Sequence, residues 1–160
     1  KTLARLFIEE NHIQGCKRSP QMNFSLVRNK ETLAVCSLDS HPRNNTLVLN
    51  RLCFKDGVHI PGGASRLIKR CVDHSNGDLV SWSDNRWSQG NVYEKCGFSL
   101  DGEISPDYSY VDINHSCYRK AKQSMSKKKI GCPPEKTEKE FAEELGFFRI
   151  WDCGKKRWKV

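Results

Sequence analysis

Apolar positions recur along this chain at two periods, and the switches between them mark out its elements. Over residues 2–11, Leu3, Leu6, Phe7 and Ile8 share one side of a helical wheel, and the pattern stops before Gly15. Two β-prone runs follow, 23–28 and 32–38, with Asn29 and Lys30 between them as the turn of a hairpin. The polar stretch DSHPRNN (39–45) leads into a third strand over 46–54. A Gly/Pro-punctuated loop, KDGVHIPGGAS, gives way to an amphipathic helix over 65–74, with Leu67, Ile68, Cys71 and Val72 on its apolar side. Residues 78–83 form a short buried strand, 90–96 a short helix, Phe98 the start of another strand, and 108–113 a further β-prone run. Strand, glycine loop, helix, strand is a βαβ unit, which implies a parallel pair flanked by antiparallel strands. The expected class is therefore α/β, a mixed central sheet with flanking helices.

The last third differs in composition. SKKKIGCPPEK reads as a charged linker, and TEKEFAEELG opens with a capping box, Thr137 with Glu140, and stops at Gly146. FFRIWDCGKKRWKV closes the chain with β-prone aromatic residues and a basic end. The expected division is a core over 1–113 and a basic helix-strand extension over 114–160, packing on or extending that core.

Charge sharpens this division. Of 27 Lys/Arg and 19 Asp/Glu, a net of +8, residues 1–113 carry 14 and 13, and residues 114–160 carry 13 and 6. A near-neutral body with a basic end points to a polyanion partner, DNA first; the alternative is solvated lysines that serve solubility. At 160 residues, 37% hydrophobic and 29% charged, the chain has one globular domain's worth of core. No apolar run approaches the roughly 20 residues of a membrane span. The chain opens on Lys1 rather than Met, as a trimmed or processed chain does, and its first residues lack the apolar stretch of a signal peptide. A cytoplasmic protein is expected. Its eight cysteines are spread almost evenly, with no C-x-x-C and no Cys–His pair at finger spacing. Reduced thiols and no metal follow.

The candidate chemistry begins at HIPGGASRLIKR. Two glycines, a small residue and a hydroxyl at a helix start, directly after a strand, offer unpaired N–H groups and room for an anion to reach the backbone. Neither G-x-x-x-x-G-K-[ST] nor G-x-G-x-x-G is present, and the alternative is a plain tight turn. His59-Ile-Pro-Gly62-Gly63-Ala64, followed about 30 residues later by Tyr93-Glu-Lys-Cys-Gly97-Phe98, resembles the acyl-CoA N-acetyltransferases of the GNAT class. There the first loop, with Arg or Gln where this chain has His59, binds the CoA pyrophosphate. The block SWSDNRWSQGNVYEKCGF, the early Glu9-Glu-Asn-His12-Ile-Gln-Gly15, the R-L strand leading to GGASRL and the GFFRIWDCG end are similar to GNAT-like bacteriophage proteins related to the Mom DNA-modification family. Some of those proteins are joined to homing-endonuclease modules. The likeness spans nearly the whole chain.

That resemblance implies a phage-encoded enzyme, resident in the host cytoplasm, that transfers an acyl-derived group from an acyl-CoA such as acetyl-CoA to the exocyclic amine of adenine in DNA. It places catalytic groups at Arg51, Ser65, Asp84 and Tyr93, and cofactor contacts at Gly62, Gly63, Ala64 and Ser65. Tyr93 has the chemistry to protonate a departing thiolate, and Asp84 to orient or deprotonate an amine. Ser65 has the chemistry to hydrogen-bond a phosphate or carbonyl, and Arg51 to pair with a carboxylate or phosphate. The structural alternatives are a core tyrosine, a turn-forming Asp84, a capping Ser65, and an Arg51–Asp84 ion pair. His12 and His59 are polar-loop histidines; His12 with a carboxylate makes half a metal site, and no second ligand pair accompanies it. For DNA, Trp82, Arg86, Trp87, Trp151, Arg157 and Trp158 interleave rings with positive charge, as base flipping and stacking require. Trp82 is the more core-like of these and Trp87 the better exposed. Lys127, Lys128, Lys129, Lys155, Lys156 and Arg157 are assigned to phosphates. Two other readings use the same residues: a non-catalytic DNA-binding module, and an acetyltransferase acting on protein.

Overall fold

Asn29 and Lys30 both take positive φ, 51° and 66°, the signature of a two-residue type I′ turn whose twist suits a hairpin. Arg28 therefore pairs with Glu31, and the strands are β1 (Met22–Arg28) and β2 (Glu31–Ser40). The computed structural model describes residues 2–16, 20–41 and 44–160. Of the polar loop expected over 39–45, Pro42 and Arg43 lie outside the described residues. Two compact units divide the chain: Lys1–Glu103 together with Lys156–Val160, and Ile104–Lys155.

The first unit is built on a six-stranded sheet. It contains α1 (Thr2–Asn11), β3 (Leu47–Phe54), α2 (Gly63–His74), β4 (Leu79–Asp84), α3 (Asn91–Lys95) and β5 (Ser99–Ile104) besides the hairpin. Its final strand is β9 (Lys155–Lys159), and the order across the sheet is β1-β2-β3-β4-β9-β5. β2 and β3 are antiparallel, whereas β3 and β4 are parallel, joined by the α2 crossover as the glycine-loop pattern predicts. Alternation along the strands sends Ala34, Cys36, Leu38, Leu49 and Leu79 into one core with Leu67, Ile68 and Cys71 of α2, Phe98 and Trp158. Val35 and Cys53 face the other way, against Ala4 and Ile8 of α1. The sheet is thus covered on both faces, which accounts for the unbroken burial of Ala34–Asp39 in β2.

The second unit has a three-stranded antiparallel sheet, ordered β7-β6-β8, from β6 (Tyr108–Asp112), β7 (His115–Ala121) and β8 (Phe147–Trp151). A 3-10 turn (Lys122–Met125), α4 (Lys127–Ile130) and α5 (Glu138–Glu144) complete it. Tyr110, Met125 and Ala142 are its buried centre. The capping box is present at the start of α5: Thr137 accepts from the Glu140 amide while the Glu140 carboxylate accepts from the Thr137 amide.

Several expectations need correction. The boundary falls after residue 103, ten residues before the one that charge suggests, because backbone pairing divides the chain and composition does not. The last strand belongs to the first unit, so that unit carries 17 Lys/Arg against 11 Asp/Glu, a net of +6, and the second carries 10 against 8, a net of +2. The basic excess therefore sits on the first unit rather than on a C-terminal extension. Lys127, Lys128 and Lys129 lie on a helical turn instead of a linker, with the Lys127 ammonium donating to the Lys136 carbonyl at 2.7 Å. β7 lacked a hydrophobic alternation strong enough to be read.

Candidate functional site

Among the described residues, β3 and β4 pair through Leu47 with Leu79 and Val48 with Val80 alone. Beyond that point both strands continue, to Phe54 and Asp84, without a ladder between them. A bulge coincides with the separation: Ser37 pairs with Arg51 and the next residue, Leu38, with Leu49, so Asn50 is the extra residue on β3. Bulges bend a strand and re-aim its backbone groups. The result is a gap between two parallel strands at their carboxyl ends, where open α/β sheets hold ligands.

One hydroxyl spans the start of this gap. Ser81 Oγ lies 2.9 Å from the Leu49 carbonyl and 2.8 Å from the Tyr93 hydroxyl. A carbonyl only accepts, so Ser81 donates to Leu49 and accepts the phenolic proton of Tyr93. Tyr93 is brought there by α3. Its ring stacks on Trp158 (centroids 5.8 Å apart, planes at 19°) and meets Phe98 edge-on at 5.5 Å. Burial pushes the Tyr93 phenol above its ordinary range. The phenol keeps its proton through neutral pH.

Gly90 makes that stack possible. It caps α3 at φ +89°, and a Cβ there would lie 2.0 Å from the Trp158 ring. Trp158 in turn donates its indole N–H to Ser83 Oγ at 2.8 Å. Trp158, expected as a nucleic-acid contact, is instead a core residue 2% exposed. Arg157 pairs with Asp101 at 3.1 Å and Lys155 with Asp152 at 3.6 Å.

The glycine loop sits at the start of α2. Gly62 is the cap, at φ +67°, and a Cβ there would meet nothing within 4 Å. Gly63 is needed for a different reason: its Cβ would fall 2.9 Å from the Phe54 ring, so it lets the helix start close against β3. The Gly63 amide donates to the Ile60 carbonyl at 2.9 Å. The amides of Ala64 and Ser65 have no acceptor among the described residues, which leaves two N–H groups at a helix start with a positive dipole end. Ser65 is the third helical residue and exposed; Gly62, not Ser65, is the cap.

Alternation along β4 separates the remaining candidates. Ser81 and Ser83 share the α2 and α3 side with Tyr93, so Trp82 and Asp84 point to the α1 side. There Trp82 stacks on His41 at 6.1 Å. Asp84 Oδ1 accepts from the Arg86 amide at 2.9 Å and its carbonyl from the amides of Trp87 and Ser88, so it nucleates the turn after β4. Arg51 also lies on the α1 side, donating to the Gly15 carbonyl at 3.0 Å and to the Asn50 carbonyl and side-chain oxygen at 2.7 and 2.8 Å. The Arg51–Asp84 ion pair does not form. Beside Arg51, His12 accepts at Nδ1 from the Gln14 amide, and burial, reinforced by the Arg51 charge, lowers its pKa. His59 is exposed. Arg86 lies over the ring of Trp87 at 5.0 Å, and Trp87 is 61% exposed.

Of the residues around this gap, Tyr93 and the glycine loop were expected from the sequence, and Ser81, Gly90 and the Asn50 bulge were not. Ser81 and Ser83, alternating through SWS in an apolar run, were the available signal for polar groups turned toward one face. Among the described residues no three His, Cys, Asp or Glu side chains gather as a metal site would need, and no helix is long and apolar enough to cross a membrane.

No protein-family model matches the sequence, and no curated protein matches it. Among solved structures the chain is similar to a protein described as a streptothricin acetyltransferase from Bacillus anthracis, crystallised in complex with acetyl coenzyme A. The TM-score is 0.50 at 13% identity, over 90% of this chain and 64% of that one. The fold of this chain is thus GNAT-like, and the chain spans less than two thirds of that neighbour's length.

Proposed function

We propose that the chain is an acyl-CoA-dependent acyltransferase whose acceptor is an amine. The observation that carries this reading is the parting of β3 and β4 with the Tyr93 hydroxyl on Ser81 inside it, following a helix start with two amides that have no acceptor among the described residues. An acyl-CoA supplies an acyl group activated as a thioester, with a thiolate as leaving group. The Ala64 and Ser65 amides suit its phosphates, and Gly62 leaves the approach clear. Tyr93 holds a proton at Oη for the thiolate, and its raised pKa keeps that proton available. Asp84 and Arg51 occupy the opposite face, where Asp84 Oδ2 is suited to orient or deprotonate the amine. Proton donor and candidate base on opposite faces favour donor and acceptor entering from opposite sides.

We further propose DNA as the acceptor, through the exocyclic amine of adenine, in keeping with the Mom-like, phage-derived resemblance. The net charge of +6 on the first unit and the exposed Arg86–Trp87 pair beside Asp84 support a nucleic-acid partner. Lys127, Lys128, Lys129, Lys155, Lys156 and Arg157 remain the proposed phosphate contacts. The test incubates the chain with acetyl-CoA and adenine-containing DNA, single- and double-stranded, and reads acetylated deoxyadenosine by nucleoside mass spectrometry. Acetylation with the native chain and its loss with Tyr93→Phe and Asp84→Ala are expected. Calorimetry that finds no binding of acetyl-CoA overturns the enzyme reading. Binding and turnover on an amine other than DNA overturns the acceptor alone.

A further inference from the structure

On the flank of α2 that faces β1, Arg66 and Arg70 stand one helical turn apart. Both are exposed, and neither has a carboxylate or carbonyl partner among the described residues. Like charges at this spacing repel by a few tenths of a kcal/mol, so folding alone does not favour the pair. Some cations elsewhere find acids, as Lys122 does with Asp107, Lys136 with Glu144 and Arg157 with Asp101, whereas Lys69 and Lys95 find none among the described residues. The two arginines border a cavity of about 420 Å³, whose other walls are Phe24, Ser25 and Leu26 of β1 and Leu67 of α2. Its size falls within the roughly 300–1,000 Å³ typical of small-ligand sites. The floor is apolar and partly aromatic, and Phe24 is fixed edge-on by His74, 5.9 Å away and one turn beyond Arg70.

We propose that this groove is a second ligand site, for a nucleoside monophosphate. The phosphate dianion bridges the Arg66 and Arg70 guanidiniums, whose planar forks match it, and the base lies against Phe24 and Leu26. Neither half of the cavity explains the other on its own: a phosphate needs no apolar floor, and an apolar ligand needs no paired guanidiniums. The site does not rest on the acyl-transfer reading, since it uses none of the residues at the β3–β4 gap.

The experiment is calorimetry on the full chain with AMP, adenosine and inorganic phosphate as separate titrants, repeated in saturating acetyl-CoA and with a short single-stranded oligonucleotide as competitor. AMP binding tighter than either fragment, and undisturbed by acetyl-CoA and by the oligonucleotide, is expected. Arg66→Ala and Arg70→Ala should each weaken AMP by roughly tenfold or more, as loss of one charge-assisted contact predicts. Both positions are exposed, so circular dichroism and melting should match the native chain. Four outcomes overturn the proposal: no AMP binding at millimolar concentration, AMP binding no tighter than phosphate, displacement of AMP by acetyl-CoA, or displacement by the oligonucleotide. The third would assign Arg66 to the acyl-CoA end of α2, and the fourth would assign the groove to a nucleic-acid strand.

Discussion

Trp158 lies against Tyr93, planes 19° apart, so a residue two positions from the end of the chain supports the phenol at the centre of the first unit. Trp158→Ala removes that support, the indole bond to Ser83 and a large buried side chain at once. Truncating a buried tryptophan costs about 3–5 kcal/mol. Denaturant unfolding should register a loss in that range, and a loss below about 1 kcal/mol would contradict the buried placement.

Gly90 and Gly57 both hold positive φ, +89° and +72°, but only Gly90 abuts a ring. Gly57→Ala should cost about 1 kcal/mol, the penalty of left-handed backbone alone. Gly90→Ala adds a clash that Trp158 relieves only by leaving its stack, so a loss of at least about 3 kcal/mol is expected. Equal melting temperatures for the two variants would remove the steric argument.

Tyr93→Phe deletes the proton and one hydrogen bond while keeping the ring. Stability should fall by about 1 kcal/mol. If the chain transfers acyl groups as proposed, turnover should fall about 10²-fold or more at unchanged acetyl-CoA affinity. The pH dependence carries a sign. Because folding raises the phenol's pKa above 10, its contribution to stability is complete below pH 10 and is lost as pH rises through the folded value. The native chain should therefore weaken more steeply in alkali than the phenylalanine variant, in parallel melts from pH 9 upward.

His12 runs the other way. Burial and Arg51 lower its pKa below 6.5, so its neutral form is favoured on folding. Stability from this group is complete above pH 6.5 and is lost as pH falls through the folded value. His12→Gln, which keeps an acceptor for the Gln14 amide, should flatten the decline between neutral and mildly acid pH. An unchanged pH profile would mean that His12 stays solvated.

How much of this was legible beforehand depended on the range of the forces involved. The hairpin at Asn29–Lys30, the α2 crossover after the glycine loop and the Thr137–Glu140 cap are set by neighbours in sequence, and each was read correctly. Tyr93 was located through its motif, but its partner Ser81 lies across the core, and no local pattern connects them. The basic end misled for a related reason. KKRWKV has the composition of a polyanion-binding tail, yet Trp158 alternates inward while Lys159 alternates outward, and strand pairing overrode the bulk charge. The Asn50 bulge depends on register with β2, which composition does not encode.

The place of β9 has a consequence for how the chain assembles. The residues between β5 and β9, neighbours in the sheet, form a separate compact unit. During synthesis the inserted unit leaves the ribosome whole while the larger one still waits for its fifth neighbour in the row. Until β9 emerges, β4 offers a bare edge and the indole's slot beside Gly90 stays wet. Completion of the larger unit therefore waits on a strand made only after the whole insert.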